Sequence, residues 1–561
     1  MNKASYPDPA FIRRNTVILD GEWDFAFDDA TKKISNVEFD KKINVPFCYQ
    51  SKMSGIDIQE DIPVVWYRKN FEYKKNVKRL LLCFGAVDYY SEIYINGFYA
   101  GSHIGGFSSF KIDITKYLKS GSNEIVVRCE DTLSTSHLRG KQSWKGGLFG
   151  CWYTPTTGIW QSVWLEEAGP VYVEECLITP DINKNRADFS IKLSDGNLNK
   201  VSASLYLKGE KIGSLDFKMT ECEGSASFIF PDCDILRSDY QWSIENPNLI
   251  DVVINAGDDE VYLYFGMRNI EIRGKDIFLN NHRLYQKLVL DQGYWPDSLM
   301  TPPSGEDLEK DILLAMKMGF NGARKHQKIE DARYYYYADL HGFLVWGELP
   351  SRYCYSPHSS LSVISELDNY IRMKFNHPSI IAWVPLNESW GVSNILKDRR
   401  QQAFADSLAC YAKSLDGTRF ISSNDGWEQT SSADILSVHD YSVIPQWLGS
   451  SLEMASNGCA DLRELYIDGS SYNGQPIILT EFGGIAFSDG RDDTWGYNGK
   501  VVDTSAFIER LRNLLDRVKK DKLLSGFCYT QLTDVMQETN GLLTPDRKPK
   551  LDLDVYCSIF K

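Results

Sequence analysis

The chain of 561 residues has no stretch of about 18 uncharged apolar residues, so nothing in it reads as a membrane-crossing helix. Its first residues, Met1-Asn2-Lys3-Ala4-Ser5-Tyr6-Pro7, lack the apolar core of a secretory signal, and a cytoplasmic protein is expected. No basic run is long enough to follow a phosphate backbone, and 61 Lys and Arg against 76 Asp and Glu give a formal charge of -15, which argues against a nucleic-acid partner. The 12 cysteines form no C-x-x-C pair, so neither a thiol redox motif nor a zinc knuckle is indicated, and buried reduced thiols are expected. No Gly-rich phosphate loop follows any strand candidate, and no His/Asp/Glu cluster has ligand spacing; no cofactor and no metal are expected.

What is present is an ordinary packed composition, 43% hydrophobic and 24% charged, in a chain too long for one core. From Trp23 to about Glu166 short alternating segments recur, such as Val64-Val65-Trp66-Tyr67-Arg68, Ser91-Glu92-Ile93-Tyr94-Ile95 and Glu124-Ile125-Val126-Val127-Arg128. Asn96-Gly97 after Ile95 predicts a two-residue hairpin, because both central residues of such a turn need positive φ. Residues 1–167 are thus read as an antiparallel β-sandwich. The Gly-rich, aromatic segment Arg139 to Trp160 is long for a connection, which fits either a functional loop or packing against a neighbour. Residues 168–267 repeat the strand pattern on the scale of an immunoglobulin-like β-sandwich.

After Arg268 the rhythm changes to strands alternating with helical stretches. Ser304 is placed to cap a helix carrying Leu308, Ile312, Ala315 and Met316 on one face, with Gly319 closing it. Eight apolar strand candidates, beginning near Leu284, Asn321, Phe343, Ile380, Arg419, Ile435, Ile477 and Gly526, are read as separated by helical segments, which predicts a C-terminal (β/α)₈ TIM barrel over 268–561.

In such a barrel the residues just past each strand converge on one mouth. Here they are Arg324 and His326, Glu348, Asn387 and Glu388, His439, Asp440 and Tyr441, Glu481, and Gln531. Carboxylates after strands four and seven can face one another across a sugar ring. Retaining glycoside hydrolysis needs such a pair about 5 Å apart, one to protonate the leaving oxygen and one ionised to attack the anomeric carbon. Spacing alone leaves a strand-end cap or salt-bridge partner as an equal reading of each.

The run Asn376-His377-Pro378-Ser379-Ile380-Ile381-Ala382-Trp383-Val384-Pro385-Leu386-Asn387-Glu388-Ser389-Trp390-Gly391 resembles the acid/base signature of glycoside hydrolase family 2, the β-galactosidase and β-glucuronidase family. Ile478-Leu479-Thr480-Glu481-Phe482-Gly483-Gly484 resembles its nucleophile strand, and Gly319-Phe320-Asn321-Gly322-Ala323-Arg324-Lys325-His326 its second strand. The resemblance implies a sugar-binding-type jelly roll and an immunoglobulin-like domain ahead of the barrel. It implies Glu388 as acid/base, Glu481 as nucleophile, and Asn387 as donor to the sugar 2-hydroxyl. It further implies Tyr441 as hydrogen-bond donor to the nucleophile, with Arg324 lying beneath the site. His326, Trp390, His439 and Gln531 are further candidates for touching substrate, although a strand-end His is as often a core residue and Trp390 serves equally as packing. Gln531 and Asp534 stand where well-known β-galactosidases have a tryptophan.

The expected activity is that of a retaining exo-β-glycosidase on a small-molecule or oligosaccharide glycoside, with galactose the first choice of sugar and glucuronic acid the second. Asn498-Gly499-Lys500 fits the Asn-x-Lys pattern by which β-glucuronidases recognise a carboxylate, but it follows Glu481 too soon and is read as a chance match. A catalytically silent sugar-binding protein and an endo-acting barrel enzyme are the rivals. The first would have no need of both Glu388 and Glu481, and the second needs an open cleft that the Arg139 to Trp160 loop would obstruct. A homo-oligomer is left open.

Overall fold

The computed structural model describes residues 2–28, 32–74, 78–196, 198, 200–231, 237–442, 464–487 and 495–561. The first sandwich pairs a six-stranded antiparallel sheet, ordered Lys41–Val45, Gly21–Asp28, Val64–Tyr73, Gly121–Glu130, Tyr90–Ile95 and Phe98–Ile104, with a four-stranded one. The second sheet runs Phe110–Asp113, Arg79–Phe84, Val163–Ala168 and Thr16–Ile18. Alternation does the sorting: along Tyr90–Ile95 every second residue is buried, and Ile93 and Ile95 join Trp23, Phe25 and Val127 in one core between the sheets. The Asn96-Gly97 turn has φ of 52° and 82°, as its residues predict.

The second sandwich stacks a four-stranded sheet against a five-stranded one that includes Val201–Leu207, Ile250–Ala256 and Asp259–Phe265. Its edge is completed by Phe11–Ile12, from the opposite end of the sequence region assigned to the first sandwich. The next residue, Arg13, is buried and ion-paired to Glu166 at 2.7 Å and Asp259 at 3.0 Å, so a single guanidinium ties the last strand of the first sandwich to the second. Breaking a buried pair of this kind by removing one partner costs about 3–5 kcal/mol.

A three-stranded antiparallel sheet over Ile270–Leu284 precedes the barrel and contributes Ile270, Ile277, Leu279 and Leu284 to a core shared with barrel-interior Leu288, Trp346 and Ile478. The barrel strands are β1 (Gln286–Asp291), β2 (Gly322–Lys325), β3 (Leu344–Glu348), β4 (Ile380–Val384), β5 (Phe420–Ile421), β6 (Leu436–Asp440), β7 (Ile477–Gly483) and β8 (Leu524–Thr530). All recorded pairings among them are parallel, in the order β5-β4-β3-β2-β1-β8-β7-β6. The helices are α1 (Gly305–Lys317), α2 (Ala332–His341), α3 (Ser360–Lys374), α4 (Arg399–Leu415), α5 (Thr504–Lys520) and α6 (Leu553–Phe560). Ser304 caps α1 by accepting from the Asp307 amide, and Gly319 closes it with φ of 101°.

Among the described residues, strict alternation fails between β5 and β6. No helix separates β5 from β6; residues 422–435 form turns and bends, and the two-residue β5 is joined to β6 by one backbone bond and side chains of the connecting segment rather than by a ladder. The Asp434 amide donates to the Ile421 carbonyl at 2.9 Å, the Ile421 amide to Asp434 Oδ2 at 2.8 Å, and Gln429 Nε2 to the Ser437 carbonyl at 2.7 Å. A strand this short supplies few backbone partners, so polar side chains satisfy the remaining groups. No helix among the described residues is long and apolar enough to cross a membrane.

Candidate active site

The mouth of the barrel gathers its polar residues through two local departures from regular structure. On β7, Leu479 and Phe482 both pack outward into the helix-facing core, and the pairing with β6 and β8 shifts between them. A bulge of one residue at a strand end re-aims the side chains beyond it. Glu481 is thereby turned into the barrel, where strict alternation from Leu479 would send it outward.

After β4 the chain makes a turn in which Glu388 and Ser389 have φ of 52° and 58°. Two successive non-glycine residues in the left-handed region cost about 1–3 kcal/mol each unless their surroundings hold them. The segment past β5 does so: the Glu388 amide donates to the Asp425 carbonyl and the Ser389 amide to Asn424 Oδ1, each at 2.9 Å. Gly426, with φ of 104°, closes this segment, and a Cβ there would lie 2.7 Å from the His439 ring.

Carboxylate oxygens of Glu388 and Glu481 and a ring nitrogen of His439 lie within 4.8 Å of one another. His439 is fully enclosed, with Nδ1 2.7 Å from Glu388 Oε1 and Nε2 2.8 Å from Asp425 Oδ1 and 3.5 Å from Glu481 Oε1. Carboxyl groups thus flank both ring nitrogens, and Arg324 Nη1 lies 3.5 Å from Nε2. Burial alone would lower the His439 pKa, but Glu481, Asp425 and Glu388 raise it to about 10.

Glu481 is held ionised. Burial alone would raise its pKa, but His439, Arg324 and His326 together with a Tyr441 hydrogen bond bring it to about 2. Arg324 Nη1 sits 2.7 Å from Glu481 Oε1, and the Tyr441 hydroxyl donates to Oε2 at 2.5 Å. Arg324 has no exposed side-chain surface; its other contacts are Glu348 at 2.7 Å, Asn387 Oδ1 at 2.5 Å and Asp425 at 3.4 Å. A buried guanidinium is tolerable because both of its terminal nitrogens meet carboxylate or amide oxygens.

These groups floor a cavity of about 150 Å³, lined from the barrel by Leu290, Gln292, His326, Asn387, Glu388, Trp390, Tyr441, Glu481, Tyr497 and Thr530, and from the first sandwich by Lys141, Cys151 and Trp152. Asn387, Glu388, His326, Trp390, Tyr441 and Glu481, all expected from sequence, are on its wall. Arg324 and His439 lie behind the carboxylates rather than on the wall. Gln531 does not reach it: its side chain is buried in a network with Gln292, Glu538 and Asn540, and Gln292 occupies the wall instead. Asp534 pairs with Lys550 at 2.7 Å, away from the cavity. Neither Asn498 nor Lys500 lines the wall; the Asn498 amide donates to the Ser442 carbonyl and its oxygens accept from Arg510, while Lys500 is exposed.

Sequence reasoning missed Asp425, which follows a two-residue strand, and Lys141, Cys151 and Trp152, whose one signal was the length of their loop. That loop is fastened to the barrel by the Arg139 and Gly140 amides on the Ser351 carbonyl, at 2.9 and 3.1 Å, and by the Tyr153 hydroxyl on Glu538 at 2.7 Å. Lys141 is 3% exposed, and its ammonium lies 5.2 Å from the Trp390 ring centroid. Burial pushes its pKa down, but Cys151, Glu538, Glu481 and Glu388 hold it above the usual lysine value, although none of these carboxylates is in ion-pair contact with it. One buried donor on the wall, Asn387 Nδ2, has no partner among the described residues.

Two sandwiches followed by a parallel barrel, with two close carboxylates in an enclosed mouth, define the glycoside-hydrolase class of architecture. The description "Glycosyl hydrolases family 2, sugar binding domain" matches residues 17–165, and "Glycosyl hydrolases family 2, TIM barrel domain" matches 270–560. The chain belongs to glycosyl hydrolase family 2. It is 26% identical over 461 residues to a candidate β-glucuronidase of Formosa agariphila, covering 78% of this chain and 54% of that protein. It is 23% identical over 492 residues to a β-galactosidase of Photobacterium profundum, covering 76% and 45%. The chain therefore spans about half the length of these curated relatives. Its fold matches a family 2 β-galacturonidase from Eisenbergiella tayi bound to galacturonate, with a TM-score of 0.77, 20% identity and 98% of each chain covered. A Faecalibacterium prausnitzii β-glucuronidase gives a TM-score of 0.78 at 20% identity, again over 98% of both chains.

Proposed function

We propose that this chain is a retaining, exo-acting β-glycosidase in which Glu481 is the nucleophile and Glu388 the general acid/base. The observation that carries the reading is the approach of the two carboxylates within 4.8 Å. Retaining enzymes hold the pair about 5–5.5 Å apart, and inverting enzymes leave about 6.5–9.5 Å for a water. Glu481 attacks the anomeric carbon as Glu388 gives its proton to the departing oxygen, leaving a glycosyl ester. Water then attacks that carbon, Glu388 takes the water's proton, and Glu481 leaves as a carboxylate. The unpartnered Asn387 Nδ2 suits a sugar 2-hydroxyl, a contact that strengthens in the transition state. The cavity volume and the wall supplied by the first sandwich suit one terminal ring, which favours exo over endo action.

Proton NMR of the first sugar released from a nitrophenyl β-glycoside tests this: the β-anomer is expected, and the α-anomer would overturn it. A panel of such glycosides that the protein binds but never cleaves would favour the sugar-binding reading.

For the sugar, one observation favours a uronide over a galactoside. An ammonium on a cavity wall that makes no ion pair among the described residues is a ready donor to a substrate anion, and Lys141, kept charged by the acids around it, is such a group. The relatives' named substrates include both kinds. Lys141→Met is expected to lower the ratio of glucuronide or galacturonide to galactoside turnover by about 30-fold or more. A ratio that stays constant returns galactose to first place.

A further inference from the structure

Half-buried aromatic rings extend outward from the cavity wall, beyond the space for one sugar. From the first sandwich come Trp144, Phe149 and Trp152, and from the barrel Tyr353 and Trp390. Trp144 stacks on Tyr353 with centroids 4.1 Å apart, Phe149 stacks on Trp152 at 4.9 Å, and Trp390 lies 5.7 Å from Trp152 and 5.4 Å from Tyr353. Trp152 and Trp390 belong both to this cluster and to the cavity wall. Beyond them Leu148 is 51% exposed, on a loop tip where Lys145, Gly146 and Gly147 are exposed too.

The geometry points to this face as the subsite for the leaving group, built to hold a planar aromatic aglycone. The inference rests on the glycosidase reading, through the location of the proton donor. Trp390 follows Glu388 by two residues in the same turn, and its amide bonds the Asn387 carbonyl at 2.9 Å. Whatever group Glu388 protonates on departure must therefore pass beside Trp390 and the rings packed on it.

Several polar groups of this loop and its neighbours are turned to one another and away from the face. The Ser143 hydroxyl donates to the Gly147 carbonyl and the Tyr353 hydroxyl to the Gly140 carbonyl, while Gln537 Nε2 donates to the carbonyls of Gly150 at 2.7 Å and Trp152 at 3.1 Å. What remains open is mostly ring carbon and the Leu148 side chain, with the exposed Lys145 ammonium 4.4 Å from the Phe149 ring centroid, a surface that rewards a flat aromatic group more than the hydroxyls of a second sugar. If these rings served only to pack the loop, burying them fully would be favourable, yet they stay partly open beside a cavity.

Binding of phenyl and methyl 1-thio-β-glycosides of glucuronic acid and galactose, measured by calorimetry, tests the subsite without requiring turnover. Nitrophenyl and methyl O-glycosides tested in parallel report hydrolysis. The phenyl thioglycoside is expected to bind more tightly than the methyl one. Trp144→Ala should shrink that advantage by about three- to tenfold, while Trp144→Phe keeps most of it. The same variant should lower kcat/KM for the nitrophenyl substrate relative to the methyl one, a ratio in which intrinsic leaving-group ability cancels. Equal binding of phenyl and methyl compounds, an equal loss of both in Trp144→Ala, or tighter binding of a β-linked disaccharide than of the phenyl thioglycoside would each overturn the subsite. If the aryl preference appears in binding while no O-glycoside is cleaved, the glycosidase reading fails and the aromatic subsite stands.

Discussion

The two carboxylates at the barrel mouth share a cavity and a histidine, yet their surroundings differ. Glu481 sits on a strand, with a side chain 7% exposed and held by Arg324, Tyr441 and His439. Glu388 sits on a left-handed turn, with a side chain 18% exposed and, among the described residues, one ion-pair contact, His439 Nδ1 at 2.7 Å. Cations and a phenol fix one acid as an anion. The other keeps an opening toward the cavity, which suits the proposed role of passing a proton to a leaving oxygen and recovering one from water.

Substitutions that exchange or erase these surroundings should separate the two roles. Glu481→Gln removes the proposed nucleophile and is expected to lower kcat by roughly 10⁴-fold or more for every substrate, measured on purified protein with an unchanged melting temperature. Glu388→Gln should lose about 10²–10⁴-fold on alkyl glycosides, whose oxygen needs protonation, and much less on a dinitrophenyl glycoside, whose oxygen does not. Equal losses on both leaving groups would erase the distinction. Tyr441→Phe takes one donor from Glu481 and should cost about tenfold in kcat, since a hydrogen bond to a charged group contributes about 1.5–3 kcal/mol when neither partner is left stranded.

The smallest expected effect concerns the shared histidine. A His pKa raised from 6.5 to about 10 contributes stability that is complete below the unfolded value and is lost as pH climbs toward the folded one. Unfolding free energy should thus decline between about pH 6.5 and 10 in the native protein. In His439→Gln that decline should flatten; a parallel decline in both proteins would assign the pH dependence to other groups. At the acid end Glu481 works in the opposite sense. Its depressed pKa contributes stability above the unfolded carboxylate range that disappears as pH falls toward about 2.

Much of this was legible in the residues, because hydrophobic period and turn chemistry are local. The Asn96-Gly97 hairpin, the Ser304 cap and the strand ends carrying Arg324, Glu388 and Glu481 needed only neighbouring residues to be read. What escaped depends on contacts distant in sequence. A bulge near Thr480 leaves no local mark, since nothing nearby says which neighbour pairs out of register. Asp425 matters only because Gly426 leaves room for the His439 ring. Gln531 looked like a strand-end contact, but Gln292 and Glu538 draw it into the protein. Phe11–Ile12 crossed to the second sandwich because that sheet had an open edge, and the β5–β6 connection formed turns where a helix was expected. Lys141 and Trp152 reach the cavity through a loop from another domain, visible in sequence only as a connection too long for its purpose.

The division of labour between the two acids is tested most directly by trapping the covalent intermediate. A 2-deoxy-2-fluoro β-glycoside with a good leaving group, matched to the sugar the protein accepts, slows breakdown of the ester and lets digestion and mass spectrometry locate it. The account predicts one fluorosugar per chain, on the peptide containing Glu481. A label on Glu388, or turnover that releases the α-anomer with no ester formed, would contradict it.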